Sequence, residues 1–74
     1  MKNLTNANNN PANTIEDTIT LLTVEEVAEM LMVGKNRIYE LLNQKKLKGM
    51  RIGSSSWRIP KLAVYQYIQE QTNL

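Results

Sequence analysis

Six of the first thirteen residues are Asn (Asn3, Asn6, Asn8, Asn9, Asn10 and Asn13), and Pro11 and several Thr carry the polar bias on to about residue 20. Such a stretch buries too little apolar surface to offset the entropy lost on ordering. Residues 1–20 are therefore expected to be a flexible tail, and residues 21–74 to be the folding unit. There is no Cys, so no disulfide can staple so short a unit. It must be held by Leu, Ile, Val and Met packing with one Trp and the Tyr rings, and it lacks room for a deep enclosed cavity.

Within the folding unit, order is expected to begin at Leu21-Leu22. Thr23 and Glu26 then form a Thr-x-x-Glu capping box, in which the hydroxyl accepts the N–H three residues on and the carboxylate reaches back. Glu25 and Glu26 also suit the positive end of a helix dipole. Val24, Val27, Ala28 and Leu31 follow at helical spacing, which predicts a helix over 24–31. Met32-Val33-Gly34 reads as a tight turn, with Gly34 capping a second helix over 35–44. Ile38, Leu41 and Leu42 form the apolar stripe of that helix. At about 100° per residue its opposite face centres on Asn36, Glu40 and Asn43, flanked by Tyr39 and Arg37.

The pattern then changes period. Met50 and Ile52 alternate with Gly49 and Arg51. Trp57 and Ile59 alternate with Ser56 and Arg58, and Gly53-Ser54-Ser55-Ser56 lies between the two runs, as in a β-hairpin. Alternation predicts Met50, Ile52, Trp57 and Ile59 on the face toward the helices, and Arg51 with Arg58 on the other. Pro60 is expected to open a third helix, where its missing N–H is harmless. Val64, Tyr67 and Ile68 supply the core stripe of this helix, and Leu62 and Tyr65 lie on a neighbouring one. The helix is expected to fray near Gln71-Thr72-Asn73. The predicted fold class is mainly α with a small β-hairpin: a winged helix-turn-helix of three helices and a two-stranded wing.

Charge is distributed unevenly over these elements. Eight of the nine Lys and Arg residues fall between Lys35 and Lys61, where Glu40 is the lone acid, giving a local +7 on a chain of +2. Such a segment attracts a polyanion, and duplex DNA fits a basic helix flanked by a basic hairpin. A major groove admits one α-helix. On the second helix Asn36 can bond an adenine edge twice, Lys35 and Arg37 can meet guanine acceptors or phosphates, and Tyr39 can reach a phosphate or sugar. Glu40 and Asn43 complete the base-facing set. Lys45, Lys46, Lys48, Arg51, Ser54, Ser55 and Arg58 are the candidate contacts of the wing and its approach to the DNA backbone. Lys45 and Lys46 suit a helix C-terminus equally well. The parity of Trp57 points it inward, to the core. The tail is not basic, which argues against a DNA-gripping arm.

Other functions are restricted by what is missing. The chain has no His, no Cys and no phosphate-binding glycine loop, so neither an enzyme nor a metal or other cofactor is expected. No run of 18 apolar residues suggests a membrane span, and Met1 to Thr5 lack the apolar core of a secretion signal, so a cytoplasmic location is expected.

The series Leu22-Thr23-Val24-Glu25-Glu26-Val27-Ala28-Glu29-Met30-Leu31, Ile38-Tyr39-Glu40-Leu41-Leu42, Lys46-Leu47, Arg51-Ile52-Gly53 and Trp57-Arg58-Ile59-Pro60 closely resembles the excisionase family of DNA-binding domains, which are MerR-like winged helix-turn-helix proteins. The resemblance covers about residues 22–70. It implies binding and bending of double-stranded DNA near an attachment site, in support of excision by a tyrosine or serine integrase, with self-assembly along the DNA. Small regulators of phage or mobile-element transcription share the same domain, and their DNA surface would be identical. Gly34-Lys35-Asn36-Arg37 stands where the family usually has Ser-Arg-Ser/Thr-Thr, Glu40 where Arg is common, Met32 where the turn has Gly, and Ser54-Ser55-Ser56 where the hairpin tip is basic. A protein-interaction adaptor working through Leu62 and Tyr65 is the reading from a different class.

Overall fold

The computed structural model describes residues 19–72. The tail expected over 1–20 lies outside the described residues except for Ile19 and Thr20, as does Asn73 at the other end. The elements are β1 (Leu21–Leu22), α1 (Val24–Leu31), α2 (Lys35–Asn43), β2 (Met50–Ile52), β3 (Ser56–Pro60) and α3 (Lys61–Thr72).

α1 begins as its sequence dictates. The Glu26 amide donates to the Thr23 hydroxyl at 3.1 Å, and the Thr23 amide donates to the Glu26 carboxylate at 2.8 Å. Two orphan donors of the first turn are thereby satisfied. The helix buries Val24, Val27 and Ala28 and stops at Met32, which adopts a left-handed conformation with φ 59°. There the Val33 amide donates to the Ala28 carbonyl and the Met32 amide to that of Glu29, a Schellman closure normally given to Gly.

α2 ends in the same way. Lys45 has φ 62°, its amide donates to the Leu42 carbonyl, and the Lys46 amide donates to that of Leu41. The basic pair is thus a helix terminator as well as a source of charge. The reversal drops Leu47 into the core, where it is 1% exposed. Gly49 follows for a steric reason. A Cβ on it would lie 2.8 Å from Leu42 Cδ2, 3.2 Å from Ile59 Cγ1 and 3.3 Å from the Arg58 carbonyl oxygen.

The sheet has three antiparallel strands in the order β1-β3-β2, so the expected two-stranded wing is joined by the chain entering the domain. Leu21 pairs with Pro60 and Leu22 with Ile59. The Lys61 amide donates to the Thr20 carbonyl, which ties the entry strand to the start of α3. α3 begins one residue after Pro60, which closes β3 instead of opening the helix. It does not fray at Gln71 or Thr72: the Thr72 hydroxyl donates back to the Ile68 carbonyl at 2.8 Å.

The register corrects the expected faces of the hairpin. Met50 pairs with Arg58, Arg51 with Trp57, and Ile52 with Ser56. Directly opposed residues share a face, so Arg51 lies with Trp57 and Ile59, while Arg58 lies with Met50 and Ile52. Alternation within each strand holds, but the phase between the strands is set by the turn, where Gly53 has φ 69°. Met50 and Ile52 are each 47% exposed and not core. Ile59, Leu47, Ile38, Val27 and Val64 form the fully buried centre, with Val24, Ala28, Leu41, Leu42 and Ala63 around them. Among the described residues no polar or charged side chain is buried, and no helix is long and apolar enough to cross a membrane.

Candidate nucleic-acid interface

Ile38, Leu41 and Leu42 anchor α2 to the core and thereby fix which side of it meets solvent. Asn36, Arg37, Glu40 and Asn43 are all exposed, and Tyr39 is 38% exposed. Gly34 caps the helix with no side-chain bond, and the Arg37 amide donates to the Gly34 carbonyl at 3.1 Å, so of the first turn the Lys35 and Asn36 amides stay open to an outside acceptor. Two acids hold two of the cations. Arg37 Nη1 is 3.3 Å from Glu40 Oε1 on the same face, and Lys35 Nζ is 3.8 Å from Glu25 Oε2 on α1. Each pair is solvent-exposed and contributes under about 1 kcal/mol to stability. Their main effect is to restrain where each cation points.

Hollows lie on both sides of α2, and a third of about 410 Å³ lies beyond its end, lined by Leu42, Lys45, Leu47, Lys48, Gly49 and Trp57. On the wing side a groove of about 300 Å³ is lined by Thr23, Val24 and Glu25 of the α1 entry, by Tyr39, and by Ser55, Ser56, Trp57 and Arg58. This groove brings together Tyr39, Ser55 and Arg58 from the predicted set. The Arg58 side chain is braced by a 2.8 Å hydrogen bond from Nη1 to the Trp57 carbonyl. Arg51 is oriented differently. Its Nη2 donates to the Ser54 carbonyl at 2.6 Å and its guanidinium lies 5.3 Å from the centre of the Trp57 ring, so it braces the hairpin turn and covers the indole. Ser54 is exposed in that turn.

On the far side of α2 a larger cleft of about 780 Å³ runs between α2 and α3. Arg37, Lys45, Lys46 and Lys48 line it together with Leu31, Val33, Leu41, Tyr67 and Ile68, and Glu70 is its one acid. Arg37 and Arg58 therefore lie on opposite sides of α2, while Lys45 and Lys48 border both this cleft and the hollow that Trp57 of the wing lines. Leu62 and Tyr65 are half-buried on α3, with the Lys61 ammonium 5.9 Å from the Tyr65 ring centre. They line neither hollow.

Ser56, read from sequence as part of the Ser54-Ser55-Ser56 tip, lines the wing-side groove. Glu25 lines it too, and Gly49 lets β3 close on Leu42; neither was assigned to the site from sequence. An isolated Gly just ahead of a strand pattern is a signal of close backbone approach and would have marked Gly49. Nothing local marks Glu25 as a groove residue.

Comparison with known proteins gives the same outline. A family model described as a helix-turn-helix domain matches residues 21–72. A curated excisionase from Streptomyces ambofaciens is 39% identical over 51 residues, which cover 69% of this chain and 81% of the relative. No solved structure matches the chain.

Proposed function

The chain belongs to the helix-turn-helix family of DNA-binding domains, of the excisionase type, and from that membership we propose how it engages its DNA. It is a sequence-specific binder of double-stranded DNA. α2 enters the major groove with Asn36 and Asn43 toward the base edges, and Asn36 forms a two-point contact to adenine. Arg37 reads a guanine or grips the adjacent phosphate, aimed by Glu40. The open amides after Gly34 and the Lys35 ammonium take backbone phosphate at the helix N-terminus. Across the wing-side groove Tyr39, Ser55 and Arg58 hold the neighbouring sugar-phosphate chain, with Ser54 at the wing tip. Arg51 supports the wing from behind Trp57. Lys45, Lys46 and Lys48 add long-range attraction and a faster approach.

The observation that carries this reading is the groove shared by Tyr39, Ser55 and Arg58 beside the solvent-facing Asn36 and Asn43. Tyr39 of the helix and a braced cation of the wing share that groove, which supports a single DNA-facing side. The role that follows is non-enzymatic: the protein occupies sites near a recombination junction, bends the DNA there and assists an integrase. Residues 21–74 are the DNA-binding unit, with 1–20 outside it.

Fluorescence anisotropy titration against genomic fragments at two salt concentrations tests the proposal. Tight binding to a few fragments is expected, with affinity falling as salt rises in proportion to the phosphates contacted. Equal affinity for every duplex, or no salt dependence, would overturn it. A circular-permutation mobility assay on the preferred fragment then reads the bend.

A further inference from the structure

DNA binding draws on the charge at the rim of the cleft between α2 and α3 but leaves its apolar floor without a use. Its wall on α3 arises because the helix outruns the core. Ala63 and Val64 are buried, Tyr67 and Ile68 on the same side are only half-buried, and Gln71 is exposed. Leu41 of α2 and Val33 of the turn close the floor, and Val33 is 40% exposed. Four cations stand over this apolar ground; Glu70 is the acid among the lining residues, and Glu40 pairs with Arg37 at the rim, which leaves the charge mainly to the three Lys. Two of them are held firmly at the backbone, because the left-handed Lys45 and the Lys46 amide are bonded into the end of α2.

The two properties together select a ligand. A phosphodiester gains from the cations but loses hydration against the apolar floor without return. An apolar peptide gains from the floor and ignores the rim. A segment with apolar residues on one face and carboxylates beside them uses both, as amphipathic helices do in grooves. We propose that this cleft docks an acidic amphipathic helix of a partner protein. Its apolar side chains sit against Leu41, Tyr67 and Ile68, and its carboxylates meet Arg37, Lys45 and Lys46. The site goes beyond the DNA-binding role: its apolar floor takes no part in that role, Tyr39 and Arg58 lie across α2 from it, and the two surfaces share only the cations of the rim.

The test uses the full chain labelled with ¹⁵N and a synthetic helical peptide carrying Leu at i, i+3, i+4 and i+7 with Glu elsewhere. A second peptide has Lys in place of Glu. The acidic peptide is expected to shift the amide signals of Leu41, Lys46, Tyr67 and Ile68, and the basic peptide to leave them unmoved. Val33→Glu, in the exposed turn, should weaken the acidic peptide by about tenfold or more. A Lys46→Glu, Lys48→Glu double variant should reverse the preference toward the basic peptide, which keeps the test decisive even if Val33→Glu perturbs the fold. Four outcomes overturn the proposal. The acidic peptide moves none of these signals, or the basic one binds equally well. The cleft signals move on dilution, or show contacts from residues 1–18, so that a second copy or the chain's own segment fills it. A duplex displaces the peptide from the same residues, so that the cleft belongs to the DNA surface. None of these outcomes alters the DNA titrations at Tyr39 and Arg58.

Discussion

The two sides of α2 both carry cations, but what lies beneath the charge differs. On the wing side Arg58 stands among hydroxyls, with Tyr39, Ser55 and Ser56 around a groove of about 300 Å³. On the α3 side Arg37 and three Lys stand over Leu, Val, Ile and Tyr in a cleft more than twice as large. Positive charge over polar ground favours a phosphate, because an anion arriving there keeps its remaining hydration. Positive charge over apolar ground favours a ligand that brings hydrocarbon with its carboxylates. A count of Lys and Arg along the chain hides that the fold sets Arg37 and Arg58 over unlike ground, with the Lys45–Lys48 loop between them.

The largest test of that separation is Leu47, because it anchors the basic loop between the two sides. Leu47→Ala removes a fully buried side chain and should cost about 2–5 kcal/mol, with much of the domain unfolding. Thermal denaturation followed by circular dichroism measures this, and a loss under about 1 kcal/mol would mean that the loop is not anchored as described. Next in size is base reading. Asn36→Ala should lose about 1–3 kcal/mol at the preferred site and blur its selectivity. Arg58→Ala should weaken cognate and random DNA alike and flatten the salt slope by about one unit. If competition titrations gave the two variants the same profile, the division between a reading helix and a gripping wing would fail.

A smaller effect is expected where each helix ends. Met32 is left-handed and 89% exposed, so its side chain contributes little packing to offset the backbone strain. Met32→Gly should stabilise the domain by about 0.5–1 kcal/mol in urea titration, after the greater freedom of Gly in the unfolded chain is deducted. The smallest effect is at Ile52, on the exposed sheet face. Ile52→Thr keeps a β-branched residue and should change stability by less than about 0.5 kcal/mol. A cost of several times that would restore Ile52 to the core side and undo the register.

Much of this molecule was legible without coordinates. The capping box at Thr23 and Glu26, the stripes of α1 and α2, the turn at Met32-Val33-Gly34 and the hairpin all follow from interactions within a few residues. The solvent-facing Asn36 and Asn43 follow from helix periodicity alone. The resemblance to excisionases singled out Met32 as standing at a glycine position, and its φ of 59° bears out the conformational demand. Leu47 was hidden among lysines, where no period marks an apolar residue as core. β1 is two residues long, too short to show alternation, and is defined only by its pairing with Leu22↔Ile59. Arg51 and Arg58 were read as neighbours because strand parity was carried across a turn whose geometry sets the phase afresh.

By itself the sequence determined the helices, the caps at Thr23 and Gly34, the polar outer face of α2 and a basic segment suited to DNA, because each depends on neighbours three or four residues away or two along a strand. Only the tertiary structure decided which cations share a surface. That outcome rests on the side chains against which α2, α3 and the wing come to rest, and contacts between residues distant in the chain leave no mark in its local pattern.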